Sequence, residues 1–198
     1  TEIYTLSLHD ALPIYTLISG SKALALPLYN FKGRLVKSAN SSEKTWNLAG
    51  FTDYIISSPI SNLFDAGRLI EAKNDGMEFD SDIPVGYGVG SSGALCAAFY
   101  QEFALNPIIP EAVTTDNLTF LKDTFTTMES YFHGRSSGID PLVSYAGRPL
   151  KLDKARGLDF VRFDINTLPF SVYLYDSGIY AETSALVKGY LEKIANAA

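Results

Sequence analysis

Pro84-Val-Gly-Tyr-Gly-Val-Gly-Ser-Ser-Gly-Ala-Leu-Cys-Ala-Ala-Phe-Tyr-Gln-Glu-Phe103 links a strand-like run to a helix-like one. The run before it, Met77-Glu-Phe-Asp-Ser-Asp-Ile83, reads as a strand. Inside it, four glycines fall within the eight residues from Gly86 to Gly93. Beyond it, Leu95, Phe99 and Phe103 stand at i, i+4 and i+8, one apolar face of a helix. Glycines let backbone N–H groups curl inward where a side chain would block them. The first helical turn adds its own unpaired N–H groups and the positive end of the helix dipole. A strand, a glycine loop and a helix in that order make a site for an anion, most often phosphate. The plainer reading is a tight strand-to-helix turn with Ser91 or Ser92 as N-cap. Four glycines followed by a serine pair favour phosphate.

Two familiar phosphate loops do not fit. No Gly-Lys-Ser/Thr is present, which excludes a Walker loop. Gly88-Val-Gly90-Ser-Ser-Gly93 matches Gly-x-Gly-x-x-Gly, but the dinucleotide fold also needs a second strand ending in an acidic residue about 20 positions on. That distance falls in the proline-punctuated Asn106-Pro-Ile-Ile-Pro-Glu-Ala112.

With 198 residues, 46% of them hydrophobic, the chain can bury a real core in one domain or one and a half. The net charge of −6, with no Lys/Arg block, argues against nucleic acid or an anionic membrane as partner. The single cysteine, Cys96, sits among alanines mid-helix and reads as a small buried hydrophobe. One cysteine allows neither a disulfide framework nor a thiolate metal site. No apolar run approaches the roughly 18–20 residues that span a bilayer, so the expected location is the cytoplasm.

The N-terminal residues 1–14 lack a basic region and a small-residue cleavage site, so they are no signal peptide. Leu6-Ser-Leu-His-Asp-Ala-Leu-Pro-Ile14 resembles translated sequencing-adapter read-through, and the segment is set aside as non-native. Foreign sequence should sit apart from the phosphate loop. Because Tyr4, Leu6 and Leu8 alternate, the segment has one alternative, the slot of a missing native strand. Lys22 to Leu28 reads as a short buried strand closed by a proline, with Lys22 a solvated edge charge. Partial alternation over residues 29–51 around Asn40-Ser-Ser-Glu43 predicts a β-hairpin. Ser61 to Asn74 reads as one helix. Gly147 to Leu152 reads as a strand, and residues 153–169 as a loop-rich connection. Ser171 to Gly178 and Glu182 to Ala195 read as a strand followed by a helix.

Leu118, Leu121, Phe125, Met128 and Phe132 repeat at steps of 3 and 4, an apolar stripe on another helix. Glu129 borders this stripe, and a carboxylate held there needs a partner. Left alone, such an edge residue is normally a solvated charge. Asp140-Pro141 reads as an N-cap followed by proline at the first position of a short helix. His133-Gly134 reads as the end of the preceding helix. Arg135 reads as a surface residue.

Two stretches together resemble one family. Pro84-x-Gly86-x-Gly88-x-Gly90-Ser91-Ser92-Gly93 resembles the second motif of the GHMP kinases, which include galactokinase, homoserine kinase, mevalonate kinase and phosphomevalonate kinase. The resemblance implies that Pro84, Gly86, Gly88, Gly90, Ser91, Ser92 and Gly93 wrap the phosphates of ATP and that Ser92 ligates Mg²⁺. Glu129-Ser-Tyr-Phe-His133-Gly134-Arg-Ser-Ser137-Gly138-Ile-Asp140 is similar to the mevalonate kinase pattern Glu-(six to eight residues)-His-Gly-x-Pro-Ser-Gly-(Val/Ile)-Asp. It implies Glu129 as a second Mg²⁺ ligand and Asp140 as catalytic base, with Tyr15, His133 and Ser137 as weaker substrate contacts. Ser136 stands where the family usually has proline, which loosens the turn but removes no chemical group.

The expected architecture is α+β. Residues 15–168 would form a GHMP kinase N-terminal ATP-binding domain. Residues 169–198 would be the first strand and helix of a truncated ferredoxin-like C-terminal domain. The function the resemblance implies is ATP- and Mg²⁺-dependent phosphorylation of the primary hydroxyl of mevalonate; it also allows a homodimer. The rivals are another kinase of the family and a non-catalytic nucleotide-binding module, which would need no base at Asp140. The family's N-terminal lysine and Gly-Glu element, and most of the second domain, are missing from these 198 residues, so the chain is expected to be an inactive fragment.

Overall fold

The computed structural model describes residues 22–27, 29–37, 45–85, 88–153, 156–162 and 192, together with the backbone of residues 3–4. Tyr15, Gly86, the tip expected at Asn40, the expected C-terminal strand and, apart from the helical residue 192, the expected C-terminal helix lie outside the described residues.

Strand β5 (Met77–Ser81) is the centre of a four-stranded antiparallel sheet in the order β1-β3-β5-β4. Its neighbours are β3 (Lys32–Lys37) and β4 (Thr45–Asn47), and β1 (Ile3–Tyr4) lies outside β3. Phe79 sits at the middle of the register, opposite Leu35 on one side and Trp46 on the other. The expected hairpin between residues 29 and 51 is therefore corrected. Its two strands exist but do not pair with each other, because β5 inserts between them. Phe79 gives the reason: its buried ring needs apolar cover from both neighbours, and only the central position supplies it. Gly33 contributes by having no side chain, since a Cβ there would lie 2.7 Å from Cε2 of Phe79. The backbone of Ile3–Tyr4 pairs with Lys32 and Gly33, so part of the segment expected to sit apart takes the strand slot instead.

Helix α1 (Ala49–Ser57) follows β4 directly. Its Phe51, Thr52 and Ile55, with Leu48 just before it, are buried at helical spacing. The helix expected over Ser61–Asn74 is two pieces, a 3₁₀ turn (Ser61–Leu63) and α2 (Ala66–Asn74). Asp65 separates them: its carboxylate accepts the Arg68 N–H at 3.1 Å as the N-cap of α2. Leu69 and Ala72 face inward, whereas Ile70 is exposed.

The glycine loop feeds α3 (Ser91–Phe103), where Leu95, Phe99 and Phe103 are buried together with most of the helix, Cys96 included. A helix this apolar needs cover on every side. β3 of the sheet, α4 (Leu118–His133) and α5 (Ile139–Ala146) pack around it. Phe51 of α1 meets Phe99 of α3 edge-on at 4.8 Å and Phe132 of α4 at 5.2 Å, which ties three helices together. The Tyr54 hydroxyl adds a hydrogen bond to the Thr127 carbonyl at 2.8 Å.

A second antiparallel sheet, β2-β6-β7, joins β2 (Ala23–Ala25), β6 (Leu150–Asp153) and β7 (Gly157–Phe160). Among the described residues β2 is an edge strand and only half buried, with Leu24 exposed, so the expectation of a buried strand is corrected. Lys22 is exposed and pairs with Asp153 at 3.5 Å. Part of the connection expected to be loop, residues 153–169, contains β7, held against β6 from Leu150↔Phe160 to Asp153↔Gly157. The helices lie against the sheets in an α+β arrangement.

Candidate functional site

The site forms where α3, α4 and α5 bring their ends together. At the start of α3, Gly88 (φ 68°) and Gly90 (φ 75°) adopt left-handed backbone that other residues rarely take. Gly90, rather than a serine, is the N-cap. The first helical bond runs from the Ala94 N–H to the Gly90 carbonyl at 3.0 Å. The N–H groups of Ser91, Ser92 and Gly93 therefore have no partner within the helix, the condition for an anion site. Pro84 is half-buried at the start of the loop. Gly93 has a different reason for being glycine. A Cβ on it would lie 2.9 Å from the Pro141 nitrogen and 3.1 Å from the Asp140 Cβ. Its missing side chain lets the first turns of α3 and α5 touch.

Helix α4 brings Glu129 to the same place. Phe125 and Met128 are fully buried beside it, and Glu129 itself is only 4% exposed. Its two oxygens are held from two directions. Ser92 Oγ donates to Oε1 at 3.2 Å, and Ser136 Oγ donates to Oε2. Ser92 Oγ also lies 3.0 Å from Nε2 of His133, one helical turn after Glu129. Burial, and then the negative charge of Asp140, raise the pKa of Glu129 from 4.5 to about 7; the hydrogen bonds from Ser136 and Ser92 pull it the other way. The carboxylate is thus desolvated and repelled, and held in place by two hydroxyls.

Asp140 is buried in the first turn of α5. The sequence places it at the N-cap, but the cap is Gly138 (φ 71°), and the helix begins at Ile139. The correction is one of position by two residues, and Asp140 still lies in the first turn, where the helix dipole favours a negative charge. Gly138 also fixes the depth of the loop, since a Cβ on it would lie 2.6 Å from Thr126 Oγ1 and 2.7 Å from the Thr126 nitrogen of α4. Gly134 (φ 71°) ends α4, with its N–H bonded to the Ser130 carbonyl at 2.8 Å.

The structure thus gathers Ser92, Gly93, Glu129, His133 and Asp140 at one point, with Gly88, Gly90 and Ser91 on the adjoining loop and turn. Ser137 is exposed, and its Oγ makes a long contact, 3.4 Å, with the Ile139 N–H. Arg135 is exposed. From the sequence, Ser136 only loosens the turn; in the structure its hydroxyl reaches the glutamate. The signal was a serine in the place of a proline, on the loop between two carboxylates.

Among the described residues, no group of three or more His, Cys, Asp and Glu side chains is arranged to hold a metal. A hydroxyl, a buried carboxylate and an adjoining anion loop fit a different arrangement. They are hard oxygen donors, suited to a Mg²⁺ ion that keeps waters and takes its other ligands from phosphate. Two carboxylates of like charge buried together fit a cation between or beside them. Among the described residues no helix is long and apolar enough to cross a membrane.

Residues 60–148, which include the glycine loop, Glu129 and Asp140, match the family described as GHMP kinases N terminal domain. Over 167 residues, 80% of this chain, it is 26% identical to the mevalonate kinase of Arabidopsis thaliana. The chain spans 41% of the length of that relative.

Proposed function

We infer that these residues form the phosphate and metal side of an ATP-dependent small-molecule kinase acting on an alcohol. The observation that carries this reading is the junction of Ser92, Glu129 and Asp140 at the start of the helix that follows the glycine loop. The loop glycines and the first N–H groups of α3 bind the phosphates. Ser92 and Glu129 would hold Mg²⁺, which would supply charge neutralisation at the phosphates. Asp140 orients the acceptor hydroxyl and accepts its proton as the new P–O bond forms and the bond from the γ-phosphorus to the bridging oxygen breaks, with ADP as the leaving group. Packing of α3 against α5 through Gly93 fixes the separation of base and phosphate loop, and such positioning is most of what phosphoryl transfer requires.

Mevalonate is the acceptor we favour. The similarity to the Arabidopsis enzyme and the run from Glu129 to Asp140 support it, as does the location of both carboxylates at one site. Another kinase of the family and a nucleotide-binding module are the alternatives. Melting curves of the chain loaded with Mg²⁺ and ADP test them, with mevalonate, phosphomevalonate, galactose and homoserine added in turn. Stabilisation by mevalonate above the other three supports the reading. Preference for another alcohol would replace mevalonate with that acceptor. Nucleotide binding with no response to any of them would favour the binding module.

A further inference from the structure

We propose that Ser136 is a positioning residue that locks the Glu129 carboxylate in its metal-binding orientation and ties it to the start of the helix bearing Asp140. The inference rests on the reading of Glu129 as a Mg²⁺ ligand.

Ser136 Oγ has two partners. It donates to Oε2 of Glu129 and accepts the N–H of Gly138 at 2.9 Å. Gly138 is the N-cap of α5, and Asp140 lies two residues further on. One hydroxyl therefore bridges α4 and the first turn of α5. The other carboxylate oxygen, Oε1, is held by Ser92 from α3. With one serine on each oxygen, rotation of the carboxylate about its last side-chain bond breaks both hydrogen bonds. The anchor is firm because Gly138 presses on Lys122 and Thr126 of α4, so the loop cannot slide along the helix. Proline, the residue usual here in the pattern the chain resembles, has no hydroxyl to give. It would stiffen the turn and leave Oε2 without this donor. Ser136 replaces stiffness with a directed hydrogen bond. Losing a group that orients a metal ligand from outside the ligand shell typically costs about 10–100-fold in metal affinity.

The test is the Mg²⁺ dependence of ADP binding, measured calorimetrically at fixed ADP and rising MgCl₂. Four chains are compared: unmutated, Ser136→Ala, Ser136→Cys and Ser136→Thr. Loss of the hydroxyl in Ser136→Ala should raise the Mg²⁺ needed for half-maximal binding by about 10-fold or more. ADP binding in EDTA should stay unchanged, a split that a merely structural role would not produce. Ser136→Thr, which keeps the hydroxyl, should restore the unmutated requirement. Ser136→Cys keeps the volume without a strong donor, and decides the question should Ser136→Ala fail to fold; it should behave as the alanine variant is expected to. If the unmutated chain binds ADP with Mg²⁺ and the folded alanine or cysteine variant has the same Mg²⁺ requirement, the role of Ser136 is overturned and the assignment of the site stands. If the unmutated chain shows no Mg²⁺-dependent binding, the assignment of the site fails and Ser136 falls with it.

Discussion

Ser92 Oγ and Glu129 Oε1 lie 3.2 Å apart, joining the first turn of α3 to the last turn of α4 across 37 residues of sequence. The contact makes a hydroxyl and a buried carboxylate into one unit at the end of the glycine loop. It also leaves the carboxylate in a setting that disfavours its charge, since burial and Asp140 together hold its pKa at about 7.

The first prediction follows from that pKa. Glu129 titrates at about 7 in the folded chain and near its ordinary 4.5 when unfolded. Between those values the folded state holds a proton that the unfolded state has released. The stabilising contribution is full below pH 4.5 and is lost as pH rises through 7, at most about 3 kcal/mol in all. Glu129→Gln keeps the shape and cannot ionise. In EDTA its melting temperature should therefore exceed that of the unmutated chain at pH 8 and approach it at pH 5. Parallel curves across that range would show that Glu129 is not shifted upward.

Gly93→Ala should separate α3 from α5. The added methyl would meet backbone and side chain at 2.9–3.1 Å, and the Pro141 nitrogen cannot move independently of its helix. Overpacking of this kind costs roughly 1–3 kcal/mol. Urea unfolding should show the loss, with weaker ADP binding in the folded fraction. Unchanged stability would mean that the two helices are not held at this distance.

Gly134 and Gly138 share the same φ, 71°, but differ in surroundings. Nothing lies within 4 Å of a Cβ on Gly134, whereas one on Gly138 would strike the backbone of α4. Gly134 has ψ −39°, outside the left-handed helical region that Gly138 occupies, so Gly134→Ala should cost about 1–3 kcal/mol from backbone strain alone. Gly138→Ala should cost more and displace Asp140 as well. Chemical denaturation of both variants decides this, and equal losses would contradict the packing.

Asp140→Asn should separate binding from transfer. Removing its charge takes away one cause of the raised Glu129 pKa, so Mg²⁺-dependent ADP binding should be no weaker than in the unmutated chain. In a chain extended to the length of its relatives, phosphoryl transfer to an alcohol should fall by about 10²–10⁴-fold on the same substitution. Loss of ADP binding in a folded variant would move Asp140 from the role of base to that of ligand.

What the sequence discloses and what it hides divide along physical lines. The strand, glycine loop and helix from Met77 to Phe103 are legible because each is set by neighbours in the chain: a short strand, glycines, a 3.6-residue apolar period. The stripe on α4 is legible for the same reason, and it brought Glu129 into view. The pairing of β3 and β4 is not, because a strand some thirty residues later takes the place between them. Helix α1 had a readable period in Leu48, Phe51, Thr52 and Ile55, which the strand-like residues before it obscured. Gly93 and Ser136 were legible as residue types but not in their contacts. Both act across helices that only the fold brings together.

The most direct test of the account is calorimetric titration of the chain with ADP, with and without MgCl₂, beside Glu129→Gln and Ser92→Ala. The account predicts binding that Mg²⁺ strengthens in the unmutated chain. In each folded variant that Mg²⁺-dependent gain should shrink by about 10-fold or more. Binding indifferent to Mg²⁺, or a gain that survives both substitutions intact, would contradict the assignment of Ser92 and Glu129 as the metal side of a nucleotide site.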